Sequence, residues 1–113
     1  MAFDEMLADR LREALRGCDG ISEKRMMGGL CLFANGNMIG GVDRTRDGAG
    51  RFMFRVGKDN AAAAEQLPGA EPVVMGGRRM TGFYFVDAQA LDAPMMEHWV
   101  ALALGNALSV PPK

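Results

Sequence analysis

The sequence predicts an α+β two-layer sandwich: an antiparallel sheet of about five strands with helices packed on one face, in the order α-β-β-β-β-α-β(β)-α. Three observations predict it. Residues 24–42 read as a β-hairpin, because apolar runs at 30–34 and 38–42 flank Asn35-Gly36. A two-residue type I′ connection needs positive φ at both central positions, which these residues tolerate. Amphipathic helical patterns lie towards both ends of the chain, and their apolar stripes need a sheet to cover. Between them there is no strand–helix–strand rhythm, so the sheet is expected to be antiparallel.

The first helix is written by Phe3, Met6, Leu7, Leu11, Ala14 and Leu15 at three-and-four spacing. Acidic Asp4, Glu5 and Asp9 come early and Arg12 and Arg16 late, as the helix dipole prefers. Gly17 fits its C-terminal stop, and Asp19-Gly20 the turn that follows. Residues 21–27 read as an edge strand, whose charges on both faces guard against aggregation. Gly28-Gly29 then breaks or bulges the chain into the hairpin. After Val42 the polar, glycine-rich DRTRDGAG reads as a loop. Residues 51–56 alternate, with Phe52, Phe54 and Val56 on one side and Arg51, Met53 and Arg55 on the other, a half-buried strand ended by Gly57. Asp59 or Asn60 caps a short helix through Leu67. In the stretch 70–82 there is room for a short strand at 73–75, and GGRR is turn chemistry. A compact apolar strand follows at 83–86. Asp92, with Pro94 just inside, starts the last helix, whose stripe is Met96, Trp99, Val100, Ala103, Leu104, Ala107 and Leu108.

At 113 residues the chain has the size of one domain, expected over 1–113, and is long enough to bury a core without staples. Its 49% hydrophobic and 24% charged residues are those of a soluble globular protein. No apolar run approaches the ~18 residues of a membrane span. The amino end starts acidic and amphipathic, unlike a secretory signal. A cytosolic protein is expected, with Cys18 and Cys31 as free thiols. One histidine and no Cys-x-x-Cys leave too few ligands for zinc, so neither metal nor cofactor is expected. The ten methionines fill irregular core gaps or supply an adaptable binding surface.

Net charge is −1, which argues against a protein that coats nucleic acid. Between Ser22 and Lys58, however, seven bases face three acids, and Arg78 and Arg79 follow. This basic middle reads first as a solvated face, with weak contact to backbone phosphate left open. No G-x-S-x-G, no phosphate loop and no helix-turn-helix spacing is present. His98 lies off the apolar stripe, without a nucleophile to serve. The chain is therefore expected not to be an enzyme, with no catalytic residues.

Several motifs, in order, resemble the amino-terminal domain of the TfoX/Sxy family of bacterial competence regulators. Lys24-Arg25-Met26-Met27-Gly28-Gly29 is similar to the family's basic, Met-aromatic-Gly-Gly signature, with Met27 in place of the aromatic. Asn35-Gly36-Asn37-Met38 with Gly41-Val42 resembles its hairpin, and Arg55-Val56-Gly57 the end of its next strand. Gly77-Arg78 with Met80 and Gly82, then 83–87, resembles its Gly-Arg-x-Met-x-Gly run and closing strand. The chain stops after this first domain, where the competence regulators carry a second. The resemblance implies a fold like that of the type III secretion chaperones, which often dimerise. It implies a non-enzymatic coactivator whose protein partner is a cyclic-AMP-receptor-type transcription factor. On this reading Lys24, Arg25, Arg55, Arg78, Arg79 and Met80 are candidate partner- or anion-binding residues. Gly28, Gly29, Asn35, Gly36, Gly77 and Gly82 are structural turn residues. The alternative is a small-ligand or anion-binding domain using Arg78, Arg79 and the neighbouring glycines.

Overall fold

The computed structural model describes residues 4–26 and 28–112. Phe3 of the expected first helix and Met27 of the expected edge strand lie outside the described residues. Six strands form one antiparallel sheet in the order β1-β2-β3-β4-β6-β5. They are β1 (Ile21–Met26), β2 (Gly29–Ala34), β3 (Asn37–Arg44), β4 (Gly50–Arg55), β5 (Glu71–Met75) and β6 (Arg78–Asp87). Helices α1 (Glu5–Ala14), α2 (Ala61–Glu65) and α3 (Ala93–Ser109) complete the expected order, with the optional second strand before the last helix present.

Gly76-Gly77 joins the short strand expected at 73–75 to the one expected at 83–86. Both residues have positive φ (59° and 75°), so they close a two-residue hairpin between β5 and β6, as Asn35 (52°) and Gly36 (84°) do between β2 and β3. β6 consequently begins at Arg78, and GGRR is half turn and half strand. Gly29 opens β2, and Gly82 lies inside β6 with φ 83°; neither occupies a turn.

Strand alternation divides the sheet into two unlike faces. Leu30, Val42, Phe52 and Val86 form one cross-strand row beneath the helices, and Phe54 pairs with Tyr84 on the same side. Trp99 of α3 is fully buried there, stacked on Phe54 with ring centroids 5.3 Å apart and tilted against Tyr84 at 5.9 Å. Among the described residues its indole N–H has no acceptor, an orphan that the ring packing offsets.

Helix α3 starts as expected, with the Asp92 carboxylate accepting from the Met95 N–H at 2.9 Å. The Asn37 side chain, 1% exposed, donates to the Ala107, Val110 and Pro111 carbonyls and ties the helix end to β3. The α3 stripe narrows to Ala103 and Ala107 at this end, leaving Leu108 57% exposed. In α1 the buried residues are Ala8 and Leu11, with Leu15 just after; Met6, expected in the stripe, is 76% exposed. Small Ala8 lets the helix lie close, so the stripe is rotated from the one that bulkier residues suggested. Arg10 fastens α1 to the chain before α3, donating to the Ala88 and Leu91 carbonyls. Helix α2 is shorter than expected. Asn60 precedes it without a side-chain cap, because its amide donates to the Val56 and Leu102 carbonyls.

Gly82 sets the bend of β6. A Cβ built there would sit 2.7 Å from the Gly57 carbonyl carbon, and its carbonyl accepts the Val56 N–H at 2.8 Å. Gly82→Ala is therefore expected to cost more than the ~1–3 kcal/mol of a strained backbone alone. Gly28→Ala, also at positive φ (75°) but in open space, should cost no more than that. Urea denaturation compares them, and equal midpoints would mean that the Gly57–Gly82 contact is not needed.

Candidate functional site

The face of the sheet away from the helices is the candidate site. In a row across it, Lys24 pairs with Cys31, Cys31 with Gly41, Gly41 with Met53 and Met53 with Phe85. Ser22, Phe33 and Met38 form a parallel row towards one end, and Arg55 pairs with Phe83. Phe33, Met38, Phe83 and Phe85 are half-buried, so a broad aromatic and thioether surface meets solvent. Two arginines are laid across it. The Arg51 guanidinium lies 3.6 Å from the Phe85 ring centroid and forms a two-pronged bond with Asp43 at 2.8 and 3.1 Å. Arg55 lies 5.5 Å from the Phe83 centroid. Cation–π contact and the cross-strand pairing of Asp43 with Arg51 hold these side chains on the sheet rather than free in solvent.

At the centre is a depression of about 120 Å³. Cys31 and Met53, 4% and 7% exposed, are buried here and not in the main core. Glycine creates the depression. Gly41 occupies the middle of the Cys31–Met53 row, and a Cβ on it would meet the Leu30 carbonyl oxygen at 2.5 Å and the Cys31 Sγ at 3.2 Å. Burial and the neighbouring Asp43 charge push the Cys31 thiol pKa up, favouring the protonated thiol.

The candidate binding residues are not brought together. Lys24 and Arg55 lie on the helix-free face, whereas Arg25 pairs with Leu30 on the helix side of the edge strand β1. β1 and β4 are not neighbours, since β2 and β3 separate them. Consecutive strand positions also part Arg78 from Arg79: Arg78 pairs with Met75 and Arg79 with Val74. Arg79 is held by Glu65 of α2 at 2.8 Å, and the same carboxylate oxygen accepts the Tyr84 hydroxyl at 2.6 Å. Met80 is half-buried beside them in the sequence. His98 is exposed on α3. Among the described residues, no three His, Cys, Asp or Glu side chains converge as a metal site.

Sequence reasoning missed the helix-free face as a surface. One signal was available: four successive apolar residues at 83–86 mean that both sides of β6 are apolar, not only the side toward the helices.

An open antiparallel sheet, helices on one side and an aromatic–methionine surface on the other define the class: a small α+β domain with one sheet face left to solvent. The chain belongs to the TfoX N-terminal domain family, whose model matches residues 13–107, from within α1 to the last turns of α3. That membership supports a competence-related regulatory domain, in a family not known for enzymes. No curated protein and no solved structure matches the chain. No helix among the described residues is long and apolar enough to cross a membrane.

On the helix side, Glu23 of β1 accepts two bonds from Arg12 of α1, at 2.6 and 2.8 Å. The Arg12 bond holds the Glu23 pKa below its usual value, and the Tyr84 hydroxyl, with Arg79, does the same for Glu65. A depressed carboxylate stabilises the fold above its unfolded pKa, and that contribution disappears as pH falls through the folded value. Thermal melts should therefore show stability declining below about pH 4.5. Glu23→Gln should flatten part of that decline and cost less than ~1 kcal/mol at pH 7, as expected of a part-exposed pair. An unchanged acid profile would mean that the pair does not couple α1 to β1.

Proposed function

We propose that this domain is a non-enzymatic interaction module, a cytosolic transcriptional accessory protein of the competence-regulator type, and that a protein partner docks on the helix-free sheet face. The carrying observation is the composition of that face. Phe33, Met38 and Phe83 are half-exposed on a rigid sheet, with Arg55 laid over Phe83. Aromatics, methionine and arginine are the residues that interface cores enrich. Lys24 and Arg55 border the surface, with Arg78 on the Met75 side of the β5–β6 hairpin. Family membership supports a regulatory protein interaction; the partner we propose, as the resemblance to the competence regulators implies, is a cyclic-AMP-receptor-type transcription factor, with DNA contacted weakly or through it. The anion-binding alternative is disfavoured, because Arg79 already has the Glu65 carboxylate and Arg78 lies on the opposite side of the strand.

The test is fluorescence anisotropy of a labelled promoter duplex at two salt concentrations, with and without such an activator. Binding that requires the activator is the expected result. Steeply salt-dependent binding without it would replace the proposal with direct phosphate contact, and no binding in any condition would overturn it. In the activator-dependent complex, Arg55→Glu should weaken binding by the roughly 30-fold of a hot spot, ~2 kcal/mol. The melting temperature should hardly move. Arg79→Ala should leave binding intact, because its charge is spent within the fold.

A further inference from the structure

We propose that Cys31, with the thioethers of Met26, Met53 and Met75, forms a binding site for a soft monovalent metal ion of the Cu(I) class. All four residues line the one depression at the centre of the helix-free face. The chain brings them there from four different strands: β1, β2, β4 and β5. Cys31 and Met53 face each other across Gly41, on strands roughly 10 Å apart because one strand lies between. Glycine at 41 lets the Cys31 Sγ and the Leu30 carbonyl come in close over β3, where a Cβ would meet both, and so brings the sulfur to the floor of the depression. The Cys31 thiol is 4% exposed, opens onto that depression and has no hydrogen-bond partner among the described residues.

The donor set selects the ion. Thiolate and thioether sulfurs are soft ligands that favour Cu(I), whereas Mg²⁺, Ca²⁺ and Mn²⁺ want carboxylate, carbonyl or water oxygens. Charge makes the same choice. On binding, Cys31 gives its thiol proton to solvent, and a thiolate with a monovalent cation is neutral. The adjacent Asp43–Arg51 pair is already balanced, and Arg51 is stacked on Phe85. A divalent ion with a single thiolate would leave one uncompensated positive charge in an apolar hollow. Size points the same way. About 120 Å³ holds an ion, but organic ligands occupy pockets of roughly 300–1,000 Å³.

The experiment is an anaerobic titration of the whole chain with Cu(I) buffered by the chromophoric chelator bicinchoninate, repeated with Ag(I) as a redox-inert probe. One ion per chain is expected to be withdrawn from the chelator, with only sulfur neighbours in X-ray absorption. Cys31→Ser should weaken binding by at least the ~100-fold that loss of even an outer-shell partner can cost. Met53→Leu keeps the side-chain volume and should also weaken it, with the circular dichroism and melting temperature unchanged. Cys18→Ser should bind as the parent does. Failure of the parent chain to compete with the chelator, equal binding by Cys31→Ser, or equal loss in Cys18→Ser would each overturn the site.

Discussion

The close approach of β3 to the strands beside it is the constraint on which the rest of the structure depends. A Cβ at Gly40 would run into the Met53 carbonyl of β4, and one at Gly41 into the Leu30 carbonyl of β2. The two consecutive glycines point to opposite faces, so the central strand is stripped of side chains on both sides at one level. On the helix side the backbone of Met53 and Phe54 lies against Gly40, and the Phe54 ring stacks on Trp99. On the other side the Leu30 carbonyl and the Cys31 sulfur close in over Gly41, and the sulfur-lined depression lies there. One backbone requirement thus shapes both the core and the surface. The same strand begins with Asn37, whose amide fixes the end of α3, so the helix layer is indexed to it as well.

The two faces differ in how they are finished. Beneath the helices, burial is complete and polar groups serve as ties, with Arg10, Asn37 and Asn60 each donating to main-chain carbonyls that belong to another element. Asn37 serves carbonyls at the end of α3 that have no partner within the helix, whereas the Leu102 carbonyl that Asn60 reaches lies inside α3 and takes a second donor. On the helix-free face the arginines do different work. Arg51 and Arg55 lie along phenylalanine rings, covering apolar area while keeping their charge at the surface. A single isolated sheet face with this much aromatic and thioether area is the kind of patch that monomeric proteins tend to give to a partner.

The elements legible in the sequence were those written by local chemistry. Asn35-Gly36 demands a tight hairpin, Asp92 with Pro94 demands a helix start, and the alternation of residues 51–56 demands a two-faced strand; the structure contains all three. The β5–β6 hairpin was less legible, because Gly-Gly is permissive and does not say on which side a strand begins. Asn60 was read as a cap from its type, whereas its amide was claimed by a carbonyl of α3, 42 residues away. Met6 and Leu108 were read as core from their hydrophobicity, but Ala8 and Ala107 take the contact surfaces because close packing rewards small side chains. None of these long-range preferences leaves a mark within a local window.

The basic residues show most clearly why clustering in sequence is not clustering in space. Seven cations between Ser22 and Lys58 look like one patch when counted along the chain. A strand sends neighbouring residues to opposite faces, and here two strands lie between β1 and β4, so Lys24, Arg25 and Arg55 do not converge. Arg51 is neutralised by Asp43, and beyond this segment Arg79 is neutralised by Glu65. What alternation does concentrate is the apolar set. Cys31, Met53, Phe83 and Phe85 are scattered over more than fifty positions, yet they fall on one side of adjacent or near-adjacent strands. The surface this fold assembles is therefore apolar and sulfur-rich, with its arginines drawn onto ring faces and carboxylates and not gathered into one electropositive patch.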